Sequence, residues 1–124
     1  MTILAIALGG AIGSVLRYLV GGAVQRASHA GFPFGTFTVN VVGCLIVGVV
    51  MQLHMNTEPA PAVRGLLVVG FCGGFTTFSA FTSETVGLMY GGEYWKALVY
   101  VLITVALCLS ATMIGLNLTR ALSR

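Results

Sequence analysis

The chain has 124 residues, 57% hydrophobic and 7% charged, with a formal net charge of +3 and a mean hydropathy of +1.00. That balance excludes a soluble domain with a hydrated surface and defines an integral membrane protein. Its 6 basic residues are scattered singly, which argues against a nucleic-acid surface, and its length leaves no room for a soluble catalytic domain beside the apolar segments.

A span needs roughly 20 mostly apolar residues, and the sequence offers four such windows, about 3–20, 37–53, 65–90 and 97–118. None alternates apolar and polar residues as a barrel strand does, so the fold class is all-α, with residues 1–124 forming a single four-helix membrane domain. The first window lacks a basic leader, and Ala23, Val24 and Gln25 make a poor cleavage site, so it reads as a retained span. The connection after it carries Arg26, His29 and the turn element Gly31-Phe32-Pro33. Thr36, at the edge of the second window, and Asn40 within it share one helical face, and the connection that follows contains His54, Pro59 and Pro61. Neither histidine has a second ligand near it in sequence, so both are read as structural. Cys44, Cys72 and Cys108 fall one to a window at unrelated spacings and read as packing residues.

The third window holds the least regular stretch, GFCGGFTTFSAF from Gly70 to Phe81. Hydrocarbon offers no partner for an unpaired backbone group, so paired glycines followed by hydroxyl residues suit a smooth span poorly. One reading is a broken helix of the kind that lines a hydrated cavity in a channel or transporter. The other is a close helix contact, for which Gly70 and Gly74 supply the small-xxx-small spacing.

Polar side chains follow the glycine break: Thr76, Thr77, Ser79, Thr82, Ser83 and Glu84. After a short turn with Gly92, Glu93 and Lys96, and with Tyr90, Tyr94 and Trp95 placed for an interfacial belt, the fourth window carries Tyr100, Thr104, Cys108 and Thr112 every fourth residue. Donor-rich tracks with little fixed charge suit a small anion, because hydroxyls replace hydration water without trapping the ion. A cation path would more often show carboxylate rings or rows of carbonyls. Glu84 stands against this simple picture and has three readings: a place near a vestibule, an acceptor for the surrounding hydroxyls, or a protonated carboxyl. Phe78 and Phe81 lie about one helical turn apart, where their positive ring edges can meet an anion or where both can simply pack.

With both termini on one face, that face holds Arg64, Arg120 and Arg124, and the opposite face holds Arg17, Arg26 and Lys96. Lys/Arg excess normally sets orientation, so equal counts leave insertion undecided and allow a chain that inserts both ways up. Four short helices are also too few to enclose a wide pore and shield it from lipid, which favours assembly of subunits.

The segments GGAIGSVLRY (9–18), GTFTVNVVG (35–43) and GFCGGFTTFSAFTSET (70–85) closely resemble the CrcB/Fluc family of fluoride channels, and the likeness covers essentially the whole chain. It implies an antiparallel, dual-topology homodimer in the bacterial inner membrane, with two fluoride pores and a structural sodium ion. By motif, Asn40 resembles the pore-lining asparagine, and Phe78 and Phe81 the phenylalanines whose edges face fluoride. Ser79, Thr82, Glu84, Tyr100 and Thr104 fall along the implied fluoride path, and Arg17 near its vestibule. Backbone carbonyls of Gly73 and Thr76 correspond to the sodium site. Cys108 stands where some members carry serine. The expected activity is passive export of fluoride trapped in the cytoplasm, without nucleotide; no Gly-rich loop ending in Lys is present for ATP use. A small multidrug transporter would need a carboxylate in the first window, which has none, and a purely structural assembly protein is the third option.

Overall fold

The structure, a computed structural model, describes residues 1–28 and 31–123; the readings made for His29 and Arg124 lie outside the described residues. Helix α1 covers Thr2–Ser28 and α2 covers Phe34–Asn56. The third span starts as α3 (Pro61–Arg64), widens into a π-helical segment (Gly65–Cys72), and returns to α-helical form as α4 (Gly73–Phe75). It then breaks and resumes as α5 (Phe78–Tyr90), and the last span is α6 (Tyr94–Leu122). Among the described residues four spans, Thr2–Ser28, Phe34–Met55, Pro61–Tyr90 and Tyr94–Leu122, are long and apolar enough to cross a membrane. Each span runs past its apolar window at one end or both, as where Arg26 closes α1 and Arg120 closes α6.

Local chemistry explains the ends. Pro61 opens α3 where its missing N–H costs nothing. Gly92, at φ 78°, turns the chain between α5 and α6, and the N–H groups of Gly92 and Glu93 close on the Met89 and Leu88 carbonyls at 3.0 and 2.8 Å. Thr77 caps α5, its Oγ1 accepting from the Ala80 N–H at 3.2 Å.

Two glycine seams set the packing. Along α1 and the third span, a Cβ on Gly9 would strike the Leu66 carbonyl, and one on Gly13 the Phe71 carbonyl; Gly70 and Gly74 would each meet an α1 carbonyl, of Ile6 and Gly10, at 2.6 Å. Along α2 and α6, Gly48 lies against the Thr112 carbonyl and Gly115 against that of Leu45. In the first seam residues later on one helix meet residues later on the other, so α1 and the third span run parallel; α2 and α6 are parallel too, since Thr36 and Tyr100 share Glu84 at one end and Thr112 bonds the Cys44 carbonyl further along both helices. Lipid supplies no hydrophobic drive between apolar helices, and close backbone approach through small residues gives the van der Waals contact instead. Leu4, Leu8, Ile12 and Val15 on α1 and Leu102, Leu109 and Met113 on α6 face outward, as a lipid-facing surface requires.

The position of the break differs from the sequence expectation. Gly73 and Gly74 are helical, and the extended residues are Thr76 (φ −85°, ψ 159°) and Thr77 (φ −151°, ψ 117°). The glycines make the α1 seam and the threonines make the break, so both readings of the stretch hold for different residues in it.

Candidate functional site

Two extended residues inside a span free backbone groups that lipid cannot satisfy. Asn40, buried on α2, supplies most of the remedy: its Oδ1 accepts from the Thr77 N–H at 2.8 Å and its Nδ2 donates to the Thr77 carbonyl at 3.0 Å. The side-chain amide thus pairs with one residue's donor and acceptor as a neighbouring strand would. Arg17 of α1 donates from Nη1 to the Thr76 carbonyl at 3.2 Å, while the Thr76 N–H stays on the Cys72 carbonyl at 3.0 Å.

Beside the break lies an open groove of about 1050 Å³ whose polar lining includes Arg17, Thr36, Thr77, Ser79, Ser83 and Glu84. It runs from the break to the connecting segments at Gly31 and Gly91. Glu84 accepts from Thr36 Oγ1 at 2.6 Å through one carboxylate oxygen and from Tyr100 Oη at 2.8 Å through the other. Of its three readings, these bonds match the acceptor for surrounding hydroxyls, and the carboxylate also lines the groove.

Rings continue from there. Phe78 and Phe81 have centroids 5.5 Å apart, Phe81 and Tyr100 5.1 Å, and Tyr100 and Phe32 5.2 Å with an interplanar angle of 79°. Phe81 and Tyr100 are buried, whereas Phe78 is 75% exposed on the single chain. Thr104 lies buried on the Tyr100 face of α6, and its Oγ1 has no hydrogen-bond partner among the described residues. Thr82 Oγ1 is turned back onto the Ser79 carbonyl at 3.0 Å, and Thr112 onto the Cys44 and Cys108 carbonyls at 3.1 Å each.

The predicted residues therefore divide. Arg17, Ser79 and Glu84 line one groove, and Asn40 braces its inner wall. Phe81 and Tyr100 stand behind Glu84, Thr104 lies deeper, and Phe78 and Thr82 point outward. Sequence reading missed Gln25, Phe32 and the backbone role of Asn40. The signal available for Phe32 was its place in a Gly-Phe-Pro turn directly before the Thr36–Asn40 helix.

The sodium and metal-binding expectation is corrected. Among the described residues no group of three or more His, Cys, Asp or Glu side chains could hold a metal ion. The Thr76 carbonyl assigned to sodium accepts the Arg17 guanidinium instead, which satisfies the oxygen and repels a second cation nearby. Gly73 lies within a helical turn.

A four-span membrane protein with a side-chain-braced helix break opening on a polar groove has the build of a channel or transporter. The family model described as "CrcB-like protein, Camphor Resistance (CrcB)" matches residues 4–116. Proteins named fluoride-specific ion channel FluC are similar along nearly their whole length. The one from Geobacter metallireducens is 46% identical over 98% of this chain and 99% of its own. That from Rhizobium johnstonii is 45% identical over 95% of each, and that from Shewanella halifaxensis 40% identical over 94% of each. This chain belongs to the CrcB family. With its apolar spans and bacterial relatives, it is a multi-pass protein of the bacterial inner membrane.

Proposed function

We propose that the protein is a fluoride channel that lets cytoplasmic fluoride leave the cell passively, acting as an antiparallel homodimer with two pores. The whole chain serves as one four-helix membrane domain in this reading. Fluoride enters cells as neutral HF, dissociates in the more alkaline interior and is trapped; a selective anion leak driven by a negative-inside potential lowers it again. The observation that carries the reading is the braced break at Thr76–Thr77 beside a donor-lined groove, in a chain whose relatives are named fluoride-specific channels.

The groups have distinct parts. Asn40 spends one N–H on the Thr77 carbonyl and carries a second for the ion. Phe78 and Phe81 offer partly positive ring edges, which attract an anion without binding it too tightly to leave. The Thr104 hydroxyl is a donor with no partner among the described residues to give up. Thr36 and Tyr100 hold their protons toward Glu84, so fluoride passing Tyr100 must compete with that carboxylate. The guanidinium of Arg17 adds positive potential in the vestibule. The exposed face of Phe78 fits burial against a second subunit.

The test is fluoride efflux from liposomes loaded with potassium fluoride, read with a fluoride electrode after valinomycin is added, with chloride in parallel. Fast fluoride release with no chloride release is the expected result. Equal release of both ions, or none of either, would defeat the reading.

A further inference from the structure

The aromatic series does not stop at Tyr100. Phe32 lies in the short connection between α1 and α2, yet its ring meets Tyr100 edge to face, with centroids 5.2 Å apart and planes at 79°. The next ring, Phe34, follows at 4.7 Å. Phe32 also lines the groove, in company with Thr36 and Glu84. One side chain thus touches the ring whose hydroxyl holds Glu84 and forms part of the groove's wall near the connecting segments.

The backbone holds it there. Pro33, at φ −80° and ψ 64°, forms an inverse γ-turn closed by the Phe34 N–H on the Phe32 carbonyl at 2.9 Å. Gln25, from the last turns of α1, clasps the same turn from outside: its Nε2 donates to the Phe32 carbonyl at 3.1 Å, and its Oε1 accepts from the Gly35 N–H at 3.0 Å. That second bond also satisfies one of the open N–H groups at the start of α2. A surface turn with a proline-fixed φ and a two-point side-chain clasp loses little entropy in holding one orientation. An aromatic placed only for lipid contact would need no such clasp.

We propose that Phe32 is the mouth residue of the ion path, a ring that narrows the groove above Glu84 and Tyr100 and lines the route between vestibule and buried track. This rests on the channel reading above. An ion leaving Tyr100 for the connecting face passes the Phe32 ring, whose fixed position sets the width available. Phe32 is therefore a positioning and sieving residue, and Gln25 is the clasp that keeps it in place.

The experiment places a cysteine at the mouth. Phe32→Cys is purified and labelled to completion with a sulfonate-bearing methanethiosulfonate, which adds bulk and negative charge at that point. It is then reconstituted for fluoride efflux beside the labelled parent protein and labelled Trp95→Cys. Trp95 is exposed near the same face and is absent from the groove lining. Unlabelled Phe32→Cys is expected to conduct, and labelling is expected to reduce its fluoride flux about tenfold through steric and like-charge repulsion. The labelled parent and Trp95→Cys proteins should keep their flux. Full flux in quantitatively labelled Phe32→Cys, or a thiol at position 32 that will not react, would overturn the proposal. Should Phe32→Cys fail to fold, Phe32→Trp and Phe32→Leu decide it by a lower flux for the larger ring at unchanged thermal stability; equal fluxes would overturn it. A parent protein without fluoride flux defeats the channel reading itself, which keeps the two failures apart.

Discussion

Asn40 braces the break and, in the proposed channel, also offers a donor to the ion; the two duties can be separated by substitution. Asn40→Leu strands the Thr77 N–H and carbonyl inside the span, at a cost of about 1–3 kcal/mol for each buried unsatisfied group. It should lower the melting temperature in detergent and abolish flux. Asn40→Asp keeps the acceptor and loses the donor, so it should destabilise too; a melting temperature equal to the parent's in both variants would show that the pairing does not support the break. Thr104 makes the opposite case. Its Oγ1 is buried without a partner among the described residues, so isosteric Thr104→Val removes an unsatisfied group and should leave stability equal or slightly raised. If that hydroxyl serves the ion, fluoride efflux falls while the protein remains at least as stable. Unchanged efflux would remove Thr104 from the path.

At the scale of elements, the four spans were legible because each apolar run exceeds what a soluble helix needs, and the connections were legible from Gly31-Phe32-Pro33, Pro59 and Pro61, and Gly92. The local register of the third span was not. Composition placed the break at the glycines, but Gly70 and Gly74 are held helical by their seam with α1, and the nearest residues with both a capping hydroxyl and an outside partner are Thr76 and Thr77. That partner is Asn40, 37 positions away, and Arg17 is 59 positions from Thr76, distances at which spacing in the chain carries no signal. The π-helical turn ahead of the break was equally hidden. Adjacent glycines provide a test of this account. Gly74→Ala pushes a Cβ to 2.6 Å from the Gly10 carbonyl and should cost about 1–3 kcal/mol by overpacking the seam. At Gly73 the nearest such atom is the Val68 carbonyl at 3.9 Å, so Gly73→Ala should be neutral, or stabilising by up to about 1 kcal/mol from helix propensity. Thermal melting of the two proteins should separate them by several degrees, and identical curves would contradict the seam.

The whole molecule carries a question of direction. The chain alternates across the membrane, which puts Arg64 and Arg120 on the face of the termini and Arg26 and Lys96 on the other. Arg17, counted with the second group from sequence, lies eleven residues before the end of α1 and turns inward to the Thr76 carbonyl, roughly 16 Å of helix from the connection. A guanidinium engaged there cannot act as a flanking charge, so the orienting set is Arg26 and Lys96 against Arg64, Arg120 and Arg124, and Lys96 is paired with Glu93 at 2.8 Å. Such a difference is too small to orient a chain firmly when a few flanking charges usually decide the matter. Antiparallel pairing would also cover the exposed face of Phe78 with the oppositely inserted copy. We therefore expect both orientations in one membrane. Reactive cysteines introduced after Ser123 and probed with an impermeant reagent in intact cells should label about half the molecules, with the rest labelled only after lysis. Adding paired lysines beside Arg64 should drive nearly all copies one way and suppress flux, and co-expression with a variant carrying paired lysines beside Lys96 should restore it. A parent chain found in a single orientation, or a one-way variant that conducts fully on its own, would rule out the antiparallel dimer.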